Sequence, residues 1–285
     1  MLNVLSSEFF ESVGFNVGIE LLASLVWAPL SFLFVYLWMK TKEHFYKHRL
    51  YKNIRLKLHD SKQKLMINCF YANSNKVDKN ESAALGYPFE YMAAATVQSY
   101  LSFIAKKNFQ MDMCPSPLRY DEVLKETDEN LLLLGGPFHN NYTRFFFGLE
   151  KDNTNLPFYF DSYEGEEATL FFNNGLELKK FKPKKDITGK FYTDDYGIIL
   201  NMKNVYNNDK RIIALIGCRT IGVLGAAVAL TKLNKQLFER TNTYDEYAVV
   251  VCCHGNRYNI MKDPEICECI ELHSIEKTQL ILEKR

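Results

Sequence analysis

The first twenty residues contain neither lysine nor arginine, and the nineteen from Leu21 to Met39 contain no charged residue of either sign. A cleaved secretory leader carries positive charge ahead of its apolar run and a small-residue cleavage site behind it, so the lack of both argues against one here. Net charge is also nearly missing, at +1 over 285 residues, which argues against indiscriminate polyanion binding by the whole chain. No CxxC spacing occurs among the seven cysteines, Cys69, Cys114, Cys218, Cys252, Cys253, Cys267 and Cys269. The usual zinc knuckle is therefore absent, no metal site is expected even with His254 nearby, and the odd count points to free thiols. There is no internal repeat and no low-complexity tract.

Beyond the apolar run lies dense positive charge: Lys40, Lys42, Lys47, Arg49, Lys52, Arg55 and Lys57, against Glu8, Glu11 and Glu20 on the other flank. About 20 apolar residues suffice to cross a bilayer. The asymmetry predicts a single-pass inner-membrane protein with its N-terminus outside and its C-terminal domain cytoplasmic. Tyr36 and Trp38 sit where an interfacial aromatic belt belongs, with Trp27 deeper. Glu20, at the outer end of the span, would line a cation path if several copies assembled. The expected organisation is a transmembrane anchor over 1–40, a basic juxtamembrane stalk over 41–64, and one domain over 65–285.

Within that domain apolar runs alternate with helical stretches. Strands are expected at Leu65–Tyr71, Phe109–Met113, Asn130–Leu134, Arg211–Ile216 and Glu246–Cys253, and helices at Pro88–Lys107, Tyr120–Glu126 and Val223–Phe238. Between residues 157 and 202, short aromatic or β-branched runs separated by turn residues read as inserted hairpins, and Cys267–Leu272 and Thr278–Leu282 as a final strand pair. The expected fold class is α/β: a Rossmann-like, mostly parallel sheet covered on both faces, with a β-hairpin insertion and an N-terminal transmembrane helix.

In such sheets ligands lie beyond the carboxyl ends of strands, where strand order reverses. Leu134 runs into Gly135, Gly136, Pro137, Phe138, His139, Asn140, Asn141, Tyr142 and Thr143, a turn whose glycines admit close approach of a ligand. Ile216 runs into a second such turn, Gly217, Cys218, Arg219, Thr220, Ile221 and Gly222, with Gly225 three residues on. Its spacing is neither the dinucleotide fingerprint nor a P-loop, which would carry Lys and Ser/Thr after the second glycine. The two readings are phosphate or ribose contact and close helix-to-sheet packing. Arg219, at a helix-opening turn, is placed to fork onto a phosphate, or else to form a surface salt bridge. Asn73, in the loop after the first strand, marks a third wall.

This order, with the Ala-rich segment Met92–Thr96 of the long helix Pro88–Lys107, LLLLGGPFHNNYT, TDDYGIILNMKN and RIIALIGCRTIGVLGAAVAL, resembles the SLOG-like and TIR-like group of nucleotide-sensing Rossmannoid domains over roughly Leu65 to Cys253. With the N-terminal span it is similar to membrane effectors of bacterial anti-phage systems, the Hailong type among them. The resemblance implies ligand binding at Gly135, Gly136 and Pro137 with Asn140 and Thr143, and at Gly217 to Gly222. It further implies a nucleotide or oligonucleotide ligand, made by a partner nucleotidyltransferase, oligomerisation with a tetramer favoured, and an ion-conducting or membrane-disrupting output. No other cofactor is implied. Similar glycine-turn patterns occur in archaeal surface-layer domains.

No catalytic residue stands out. A TIR-type NAD hydrolase needs a glutamate near the base of its cleft, for which Glu90 is the one candidate. Asp194 and Asp195 read either as paired carboxylates or as a solvated turn, and no Ser or Cys nucleophile is placed beside His139. The expectation is a sensor, with a membrane-anchored NAD or nucleoside hydrolase and a structural scaffold as alternatives.

Overall fold

A computed structural model describes residues 2–55, 65–71, 87–105, 111–115, 130–136, 140, 143, 146–147, 156–161, 168–190, 192–255 and 263–272. Asn73, Pro137, Asn141 and the elements expected at Tyr120–Glu126 and Thr278–Leu282 lie outside them. The chain divides into two compact units, Met1–His48 and Arg49–Arg285.

The first unit is helix. Helix α1 runs Leu2–Ile54, and its stretch Ala23–Ile54 has a mean hydropathy of 1.4 over its most apolar window, none of which is buried. Leu25, Trp27, Phe32, Phe34 and Trp38 all stand more than 60% exposed. This helix is long and apolar enough to cross a membrane.

The second unit is an α/β domain. Its main sheet contains β1 Leu65–Tyr71, β2 Met111–Pro115, β3 Asn130–Leu134, β8 Tyr192–Asn204, β9 Asn207–Gly217, β10 Tyr247–His254 and β11 Glu265–Glu271, in the order β11-β10-β8-β9-β3-β1-β2; β7 (Lys184–Lys185) also pairs with β8. β2, β1, β3 and β9 are mutually parallel, whereas β8 is antiparallel to β9 and β10, and β11 to β10. The sheet is thus mixed, not mostly parallel. Only Val205 and Tyr206 separate β8 from β9, and a parallel crossover needs a dozen or more residues, so this connection can only be a hairpin. Of the insertion expected over 157–202, β4 (Phe158–Asp161), β5 (Thr169–Asn173) and β6 (Leu178–Phe181) form a separate three-stranded antiparallel sheet, whereas Ile198–Leu200, expected within it, belongs to β8 of the main sheet.

Alternation along the strands sorts the core into two. Leu132, Leu134, Ile213, Leu215, Val249 and Val251 face helix α2 (Tyr87–Ala105), helix α3 (Thr220–Lys232), helix α4 (Asn234–Thr241) and the last turn of α1, through Leu50 and Ile54. Leu131, Leu133, Ile212, Ala214, Ala248 and Val250 face Phe158, Phe160, Leu170 and Phe172 of the small sheet. Among the described residues, α2, α3 and α4 cover one face, and the small sheet together with the helical Phe146–Phe147 covers the other. A Rossmann arrangement has full helix layers on both. The helix expected over Val223–Phe238 is two helices, broken at Leu233.

The end of α1 is built into the second unit. Arg55 closes the helix in the left-handed region, at φ 57°, where non-glycine residues are disfavoured. Its guanidinium donates to the carbonyls of Thr241 (2.9 Å), Asn242 (3.2 Å) and Tyr244, which offsets that cost. Asn53 is fully buried and donates to the Asn234 carbonyl at 2.9 Å.

Candidate functional site

Strand order reverses between β1 and β3, since β1 leads to β2 on one side and the chain then returns to β3 on the other. The carboxyl ends of β3 and of its neighbour β9 are the two glycine turns. Gly135, at φ +109°, donates its N–H to the Leu215 carbonyl at 3.0 Å. A Cβ on Gly136 would lie 3.1 Å from the Gly217 carbonyl oxygen, so the two turns abut.

In the first turn, Asn140 and Thr143 are both buried and both occupied by the turn itself. Asn140 Nδ2 donates to the Leu134 carbonyl (2.8 Å), Thr143 Oγ1 to the Gly135 carbonyl (3.1 Å), and Asn140 Oδ1 accepts from the Thr143 N–H (3.1 Å). These bonds hold the turn in one shape. The side chain that reaches it is Glu90, in the first turn of α2 and only 3% exposed. Its Oε1 lies 3.5 Å from where a Gly135 Cβ would stand, in ordinary contact with the turn, and a side chain at 135 is disfavoured by the positive φ. Burial pushes the Glu90 carboxyl up to about 7.

The second turn is packed tightly. A Cβ on Gly197 would lie 2.2 Å from the Gly222 carbonyl oxygen, and one on Gly225 2.6 Å from Cys253 Cβ. Gly222 and Gly225 therefore allow α3 to lie directly on β8 and β10. The N-terminus of α3, which the sequence offers to a phosphate, already holds an anion of the chain: Asp195 Oδ2 accepts from the Gly222 N–H at 2.5 Å, and Oδ1 from the Tyr196 N–H at 2.8 Å. Asp195 is fully buried on β8 rather than in a solvated turn, and burial raises it to about 7 against the pull of those amides and of Arg219. Asp194 points to the other face of the strand, so the two are not a catalytic pair.

Arg219 precedes α3 with an extended backbone and makes no side-chain cap. Its guanidinium lies over the Tyr192 ring, 5.2 Å from the centroid, and its Nε is buried with no hydrogen-bond partner among the described residues. Thr220 is half-buried beside it. Glu20 lies on α1, in the first unit. No group of three His, Cys, Asp or Glu residues able to hold a metal occurs among the described residues.

Glu90, Gly135, Gly136, Gly217 and Arg219 thus gather at one edge of the sheet. Glu90 and Asp195 complete this arrangement; the sequence offers Glu90 as a cleft glutamate and Asp195 only as half of a carboxylate pair with Asp194. The role of Asp195 arises from β8 running beside α3, a pairing no local motif encodes.

No known protein family, curated protein or solved structure matches the chain.

Proposed function

We propose that the chain is a membrane-tethered sensor whose α/β domain takes a nucleotide-type ligand at the carboxyl edge of β3 and β9. The observation that carries this reading is the abutment of the Gly135–Gly136 turn on Gly217 beside the reversal of strand order, the usual ligand position in open α/β sheets. Gly135 and Gly136 let ligand and backbone approach. A Glu90 carboxyl held near neutral can donate a hydrogen bond as well as accept one, which suits a ribose hydroxyl or a base carbonyl. Arg219, half-buried with its guanidinium over the Tyr192 ring, supplies the cation for a phosphate. The amino end of α3 is capped by Asp195, so the phosphate is assigned to Arg219 rather than to the helix end.

In this reading ligand occupancy changes the assembly of α1 helices, because one helix encloses no pore. A ligand does so only by binding two states unequally. A homotetramer with a ring of Glu20, acting in anti-phage defence on a signal from a nucleotidyltransferase, is the fullest form of the proposal. The test is mass spectrometry of small molecules released from purified full-length protein. A co-purifying nucleotide that is lost in Arg219→Ala supports the reading; no nucleotide in either protein, together with no binding of added nucleotides, refutes it.

Glu90 also favours a second reading, cleavage of the glycosidic bond of NAD or a nucleoside. Turnover by the wild type that vanishes in Glu90→Gln would establish the enzyme over the sensor.

A further inference from the structure

On the sheet face opposite the α2 and α3 helices, β10 presents Cys252 two residues from His254, and β11 presents Cys267. The facing alternates along β10, with Val249, Val251 and Cys253 toward the helices and Ala248 and Val250 toward the small sheet, which places Cys252 with the latter. On β11 the register slips by one residue between Val250↔Glu268 and Val251↔Ile266, and Cys267 is the extra residue. That bulge turns Cys267 onto the same face as Cys252, packed against the small-sheet core. The two thiols are close enough for each to affect the other's ionisation, and Cys267 Sγ also donates to the Glu265 carbonyl at 3.7 Å. Cys252 Sγ lies 3.9 Å from His254 Nε2, and His254 Nδ1 lies 2.7 Å from Asp194 Oδ1. Tyr196 lies close enough to Cys252 to feel its charge, Glu265 Oε1 lies 4.0 Å from His254 Nε2, and Lys184 Nζ lies 3.5 Å from Asp194 Oδ2.

We infer that Cys252 and Cys267 are a reactive thiol pair that a hydroperoxide converts to a cross-strand disulfide, with the Asp194-held His254 moving the protons. Cys267 is the more exposed of the two, while Cys252 is 8% exposed, so the peroxide meets Cys267 first. The Cys252 thiol, as donor, lowers Cys267 below the usual thiol range and so favours its thiolate. Cys267 ionises, giving its proton to solvent, and the thiolate attacks the hydroperoxide; an S–O bond forms, the O–O bond breaks, and the departing alkoxide takes one proton back from solvent to become an alcohol. Cys252 then gives its proton to His254 and attacks the Cys267 sulfenic sulfur. The S–S bond forms, the S–O bond breaks, and the departing hydroxide takes the proton from His254 as water. Two thiols and one hydroperoxide become one disulfide, one alcohol and one water. Asp194 accepts from His254 Nδ1, which presents Nε2 as the base toward Cys252. Cys253 faces the helices, buried beside Gly225, and has no part in this.

The experiment uses full-length protein in detergent, reduced, freed of reductant and treated with hydrogen peroxide, then alkylated unfolded and digested with trypsin. Cleavage at Arg257 and Lys262 separates the two cysteines, and fragmentation places the link. Expected are a Cys252–Cys267 disulfide in the wild type, a sulfenic acid on Cys267 trapped by a cyclic dione in Cys252→Ser, and linkage at least about ten-fold slower in His254→Gln. Linkage of any other cysteines overturns the proposal, as does over-oxidation of Cys267 while Cys252 stays alkylatable. An unchanged rate in His254→Gln overturns the proton relay.

Discussion

The main-chain carbonyl of Asn53, in the last turn of α1, accepts hydrogen bonds from both the Tyr247 hydroxyl and Asn201 Nδ2, each at 2.6 Å. Tyr247 is fully buried at the start of β10. Removing its hydroxyl leaves the carbonyl with the Asn201 bond alone, so Tyr247→Phe should cost about 1–2 kcal/mol and lower the melting temperature of the detergent-solubilised protein. An unchanged melting temperature would mean that the end of α1 is not held by this contact.

Arg211 extends that network. Its Nε donates to Asn201 Oδ1 at 2.8 Å and its Nη2 to the Asp245 carbonyl at 2.6 Å, while its N–H donates to Asn130 Oδ1 at 2.9 Å. Lysine keeps the charge but not the planar fork. Arg211→Lys should destabilise the domain by about 1–3 kcal/mol, read as a lower urea midpoint.

Two buried carboxyls make stability depend on pH. Asp195 and Glu90 stand at about 7 in the folded chain, against ordinary values of 3.8 and 4.5, so the folded state holds their protons more tightly than the unfolded one. Their contribution is fully present below about pH 4 and is lost as pH rises through about 7. The urea midpoint should be higher at pH 5 than at pH 8. Glu90→Gln should flatten that slope, and an equal slope in wild type and variant would refute the assignment.

The close approach of α3 to β8 predicts a sharp contrast between glycines. Gly197→Ala puts a methyl group 2.2 Å from the Gly222 carbonyl oxygen, where only backbone can yield. Loss of about 3 kcal/mol or more is expected, visible as failure to recover folded protein. Gly136→Ala, with its Cβ 3.1 Å from the Gly217 carbonyl oxygen, should fold with a smaller loss, which keeps it usable for ligand-binding measurements.

Local signals in the sequence located most elements because each was complete within its own segment. Leu65–Tyr71 stands as read, NLLLL is a strand buried along its whole length, and TLFFN pairs within the insertion. Strand direction was less legible. The apolar run RIIALI, buried on both faces, reads like a parallel strand and is one toward β3, but its other neighbour, β8, is antiparallel across the two-residue turn at Val205–Tyr206. The glycines of GCRTIGVLG illustrate the same limit. Their spacing fits a phosphate cradle and a packed helix equally, and the distinction rests on Gly197 and Asp195, more than twenty residues upstream.

The bonds that clasp Asn53 and Arg55 gather where β10 begins and β8 ends, and Gly135 and Gly217 sit at the opposite rim, where β3 and β9 finish. Helix α3 spans the same distance, since it begins at Thr220 beside that rim and ends at Lys232, two residues before the Asn234 carbonyl that Asn53 bonds. If the proposed ligand acts on α1, its effect has two continuous paths to the clasp, the strands β8 and β9 and the helix α3.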